Sequence, residues 1–124
     1  MYTRKHRAVD CLQDILDNIA LIEKYTAGYD MAGIGADSLR NDALERCMER
    51  LCEAAYRLGE QAVVLMPDQP WGRIRGMGNR LRHGYDQIRL EVVWAVVTED
   101  LPGLQADVVE ALERLQSESP DQEP

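Results

Sequence analysis

Apolar side chains recur along this chain at helical spacing almost from its start. Ala8, Leu12, Ile15, Leu16, Ile19 and Ile22 keep steps of three and four between residues 4 and 27, which predicts one long amphipathic helix. Gly28, Gly33 and Gly35 mark a loose connection after it. Asp37 or Ser38 then caps a second helix, whose stripe is Leu44, Cys47, Met48, Leu51, Ala54, Ala55 and Leu58. It should run to about Met66, where Pro67 and Pro70 stop it, with Gly59 as a weak or bent point. A third helix is expected from Trp71, just after Pro70, to near His83, because Gly84 suits the position beyond a helix end. Ile88, Val92, Trp94, Ala95 and Val96 predict a fourth, over about 88–99, broken by Leu101-Pro102. A last short helix, about 103–116, carries Leu104, Val108, Leu112 and Leu115. No stretch alternates with a period of two. The pattern predicts an all-α domain over residues 1–116, an antiparallel four-helix bundle with a short additional C-terminal helix. Residues 117–124 have too little apolar surface to order themselves and read as a disordered acidic tail.

Composition narrows the classes. The first helix is interrupted by Asp10, Asp14 and Asp17, so no apolar core of a signal peptide is present, and the longest apolar run, Ala62 to Met66, is far too short to span a bilayer. A cytoplasmic protein is expected. Cys11, Cys47 and Cys52 are odd in number and lack CxxC spacing, which fits buried reduced thiols. With only His6 and His83 in the chain, a zinc site is not expected, and no cofactor is expected.

Charge is distributed unevenly. The chain carries −8, yet the window from Trp71 to Leu90 holds five arginines against one acid, Asp86. That gives +4 in the window and leaves −12 outside it. A short arginine cluster around a histidine in an otherwise acidic protein points to an anion, and the guanidinium fork grips phosphate oxygens in pairs. Asn79 and His83 are four residues apart and share a helical face, and Arg80 lies three before His83. Arg75, Asn79 and Arg82 make a neighbouring stripe. Bland readings compete: His83 at a helix end also fits an interaction with the last carbonyls, and some arginines fit ion pairs with second-helix acids such as Glu45, Glu49 and Glu53. Trp71 and Trp94 read as core or interface anchors.

Pro70-Trp71, the run Gly76-Met77-Gly78-Asn79-Arg80-Leu81-Arg82-His83-Gly84-Tyr85, Val93-Trp94 and Leu101-Pro102 resemble the HepT-like family of the HEPN superfamily, as do Ile22-Glu23-Lys24-Tyr25 and Glu53-Ala54-Ala55. The family signature is an arginine, four to six residues, a histidine, any residue and a tyrosine. His83-Gly84-Tyr85 fits its second half, while Gly78 stands where the arginine would fall. The resemblance implies a metal-independent endoribonuclease, the toxin of a toxin–antitoxin pair. It would act on RNA as a homodimer formed through the third and fourth helices, with a nucleotidyltransferase antitoxin as partner. His83, Asn79 and Arg80 would be the catalytic set, Arg75, Arg80 and Arg82 the phosphate contacts, and Tyr85 the hydroxyl that receives AMP. Gly78 would weaken cleavage, and Gly78→Arg would raise it and steady the helix. The alternative is a catalytically inactive HEPN module that binds nucleotide or a nucleotidyltransferase.

Overall fold

The structure, a computed structural model, describes residues 1–83 and 89–118. Helix α1 (Arg4–Thr26) opens with a capping box: the Thr3 hydroxyl accepts from the His6 amide, and the His6 ring accepts from the Thr3 amide. Its apolar stripe, from Ala8 to Ile22, is buried. A five-residue helix α2 (Met31–Gly35) occupies the expected loose connection, started by the Asp30 side chain accepting from the Gly33 amide. Helix α3 (Ser38–Leu58) is capped by Asp37 rather than Ser38.

The second predicted helix does not reach Met66 in one piece. Gly59 adopts φ +62°, a left-handed value that suits glycine, and separates α3 from α4 (Glu60–Leu65). Helix α5 (Trp71–His83) has the predicted bounds. Pro70 precedes it, and the buried Trp71 indole donates to the Met66 carbonyl at 2.8 Å, tying its start to the end of α4.

The largest departure lies beyond. Helix α6 (Leu90–Ala95) passes without a break through a π turn, Val96–Asp100, into α7 (Leu101–Ser117). Pro102 in an ordinary α-helix would press its ring on the carbonyl four residues back and lack the matching N–H. The wider turn, in which the Leu101 amide reaches Val96, removes that conflict. Hence Leu101-Pro102 does not end the helix, and the last helix is longer than expected, running through Ser117. Residues 119–124 of the predicted tail, and Ile88 of the predicted fourth helix, lie outside the described residues.

The described residues contain helices and no strand. α1 packs on α3 and on α7, and α3 packs on α5. Neighbours run antiparallel: Tyr25 meets Arg40 and Asp14 meets Arg57 across α1 and α3. Glu53 meets Arg82 and Gly59 meets Arg75 across α3 and α5. This is the all-α bundle expected, and it packs α5 against α3 with its other face exposed. Among the described residues, no helix is long and apolar enough to cross a membrane.

Candidate functional site

Helix α5 is two-faced because its apolar residues keep helical spacing. Trp71, Ile74, Met77 and Gly78 are buried, and Leu81 packs against the same core. Asn79, Arg80, Arg82 and His83 are exposed. At about 100° per residue, His83 lies opposite the buried stripe, one turn beyond Asn79, with Arg80 and Arg82 to either side. The last turn thus gathers Arg80, Arg82 and His83 where the helix dipole favours cations.

The arginines do not share one role. Arg82 lies 3.2 Å from the Glu53 carboxylate, and its guanidinium is 5.7 Å from the Tyr56 ring centre. Arg75, half-buried, donates at 3.2 Å to the Gly59 carbonyl at the break between α3 and α4. It sits about 12 Å along the axis from His83, from the helical rise over eight residues. Arg73 pairs with Asp100 of the π turn, not with an acid of α3. Glu49 pairs within its own helix, to Arg46 at 3.2 Å. Among the named acids of α3, Glu53 is therefore the one that reaches the cluster. Trp71 is a core residue, and Trp94 is partly buried against the core. Tyr85 lies outside the described residues.

Gly78 requires a correction. It is buried, and a Cβ built on it would stand 2.6 Å from the Cβ of Cys52 on α3. It is about 140° around the helix from His83. The glycine lets α3 and α5 approach, and a side chain there meets Cys52 instead of solvent. Gly78→Arg therefore cannot steady this helix, and the position offers an arginine no room without moving one helix from the other. Burial pushes the Cys52 thiol up to about 12, and burial raises Cys11 and Cys47 as well, so all three buried cysteines are held as neutral thiols. Among the described residues no group of His, Cys, Asp and Glu could hold a metal.

Two features escaped the sequence reading. Tyr56, 61% exposed, falls on the polar side of its helix and reads as a surface residue until Arg82 is placed beside it. Arg57, which pairs with Asp14 at 3.0 Å, joins α3 to α1 along an open groove of about 1020 Å³ that also takes in Arg7 and Arg75.

Comparison with known proteins gives the family. Residues 15–111 match the family described as Ribonuclease HepT-like. The chain is 32% identical over 101 residues to a protein of Thermococcus cleftensis named "Probable ribonuclease HepT", covering 82% of this chain and 90% of that one. It is 26% identical over 107 residues to a Methanocaldococcus jannaschii protein named "Putative RNase", covering 86% and 88%. A protein of Caldanaerobacter subterraneus with the same kind of name is 24% identical over 103 residues, covering 83% and 92%. No solved structure matches the chain significantly.

Proposed function

Because this chain belongs to the ribonuclease HepT-like family, we propose that it is a metal-independent endoribonuclease acting from the exposed face of α5. The observation that carries the reading is the last turn of that helix, where Asn79 and His83 stand outward between Arg80 and Arg82. His83 takes the proton from a ribose 2′-hydroxyl, or supplies one to the departing 5′-oxygen, as the 2′-oxygen attacks phosphorus. Arg80 and Arg82 stabilise the charge that builds on the phosphoryl oxygens, and Asn79 orients the imidazole or the phosphate. Arg75, turned to Gly59, is the outermost of the proposed phosphate contacts.

The same reading makes the protein the toxin of a toxin–antitoxin pair. It acts in the cytoplasm as a homodimer and is silenced when a nucleotidyltransferase antitoxin transfers AMP to Tyr85. A phosphate attached there occupies the arginines that RNA needs.

RNA cleavage by the native chain and by His83→Ala, both in chelator, tests the core of the proposal. General acid–base catalysis contributes about a hundredfold or more, so His83→Ala should lose at least that. Undiminished cleavage by His83→Ala would overturn it. Intact mass after co-expression with the antitoxin tests the switch; an AMP shift that persists in Tyr85→Phe rejects Tyr85.

A second reading is favoured by Gly78. With that position closed against Cys52, the chain lacks the family arginine where the signature puts it. An inactive HEPN module that binds nucleotide or the antitoxin would then bind RNA or nucleotide without cutting.

A further inference from the structure

We propose that the open groove along α1 and α3 is the track for a single-stranded stretch of the RNA substrate, with Tyr56 as its base-stacking platform; this rests on the ribonuclease reading. Two depressions, of about 1020 and 500 Å³, meet at Asp14 and Arg57 and both reach α5, one at Arg75 and the other at Arg82. Arg82 directly precedes His83 in the chain, so a strand leaving the groove at Arg82 arrives at the proposed catalytic face.

Charge sets the groove apart. Its walls hold six arginines (Arg7, Arg46, Arg50, Arg57, Arg75 and Arg82) and no lysine, against five acids, in a chain whose net charge is −8. It is therefore among the surfaces least repulsive to a polyanion. Arg57, Arg46 and Arg82 are extended by ion pairs to Asp14, Glu49 and Glu53 at 3.0, 3.2 and 3.2 Å. Exposed pairs of this kind contribute little net energy. Exchanging a carboxylate for a phosphate thus costs little, and the guanidinium is already held near the track. The phosphate offers the same planar fork a second, bidentate partner.

Tyr56 decides between single and double strand. Tyr56 is 61% exposed, with the Arg82 guanidinium over one face of its ring, 5.7 Å from the centre. A ring beside a guanidinium is a flat surface for an unpaired base, which a base inside a duplex cannot reach. Tyr2, 60% exposed, borders the same groove beyond Arg7.

The test is fluorescence anisotropy with a labelled twelve-nucleotide single-stranded RNA and its duplex, on the His83→Ala chain so that nothing is cut. Arg46→Gln combined with Arg50→Gln should weaken binding roughly tenfold and lower the salt slope by about 1.4, since each lost phosphate contact on a single strand removes about 0.7. Tyr56→Ala should weaken binding about tenfold, and Tyr56→Phe should restore it. The duplex should bind at least roughly tenfold more weakly than the single strand. Circular dichroism controls for folding, which these exposed positions leave intact. If the native chain cuts RNA while the groove variants bind like the His83→Ala parent, and the same substitutions made in the native chain leave cutting unchanged, the track is wrong and the ribonuclease reading stands. If the native chain neither binds nor cuts RNA, the ribonuclease reading fails and the track with it.

Discussion

Gly78→Ala is expected to destabilise the protein, against the ordinary rule for helices. In a helix interior, Ala is better than Gly by about 1 kcal/mol. Here the added methyl would stand 2.6 Å from the Cys52 Cβ, closer than carbon atoms tolerate, and Cys52 is itself buried on a rigid helix. Overpacking of that kind costs about 1–3 kcal/mol, so after the propensity gain the balance is a loss of up to about 2 kcal/mol, centred near 1, a fall in Tm of roughly 5 °C. Gly76 on the same helix is the internal control. It is exposed with nothing within 4 Å of a Cβ, so Gly76→Ala should stabilise by up to about 1 kcal/mol. Urea unfolding followed by circular dichroism measures both. Double variants sharpen the result. Cys52→Gly removes the opposing Cβ and should relieve Gly78→Ala, giving a coupling of about 1 kcal/mol or more, whereas Cys52→Ala keeps that atom and should not. If Gly78→Ala stabilises as much as Gly76→Ala, the close approach of α3 and α5 is refuted.

Three further outcomes follow from named contacts. Trp71→Phe keeps an aromatic ring but leaves the Met66 carbonyl without its indole donor, so stability should fall by about 1–3 kcal/mol in thermal or urea unfolding. Cys52 stays neutral in the folded chain up to about 12 while an unfolded thiol ionises near 9.0, so the unfolded chain loses its proton first and stability falls as pH rises through that window. The loss is up to about 1.4 kcal/mol per pH unit, and unfolding midpoints measured above pH 9.0 should show a shallower fall in Cys52→Ala. The proposed homodimer should appear by light scattering at tens of micromolar, and Val92→Asp, at an exposed position of α6, should shift it towards monomer. Monomer alone at that concentration would refute the assembly.

Much of the architecture was legible because the signals were local. Pro70 marks the start of α5, and the buried stripe of α1 follows directly from its spacing. Gly59 was visible as a weak point, but the left-handed turn that makes it a break depends on how α4 packs. The five residues of α2 are too few to show a period. On α5, the shared face of Asn79 and His83 could be read from their four-residue spacing. The meaning of Gly78 could not, because it is set by Cys52 on another helix, far away in sequence. Tyr56 was hidden for the same reason: only the docking of α5 on α3 brings Arg82 to its ring.

The π turn between α6 and α7 also governs the phase of the last apolar stripe. Val93 and Val96 are buried before it, and Leu101, Leu104 and Val108 after it. Val96 and Leu101 are five apart, which in a uniform α-helix would set them about 140° out of phase. The wider turn acts as a one-residue insertion that resets the phase, so both halves point inward and the stripe that seems interrupted on paper is continuous in space. Loss of one residue between Val97 and Asp100, together with Pro102→Ala, would give the same inward stripe at regular pitch. The same loss between Leu101 and Leu104 would rotate Leu104 and Val108 out of the buried stripe. A one-residue change in length along this run would thus be absorbed in a single turn, the one clamped to α5 through Asp100 and Arg73.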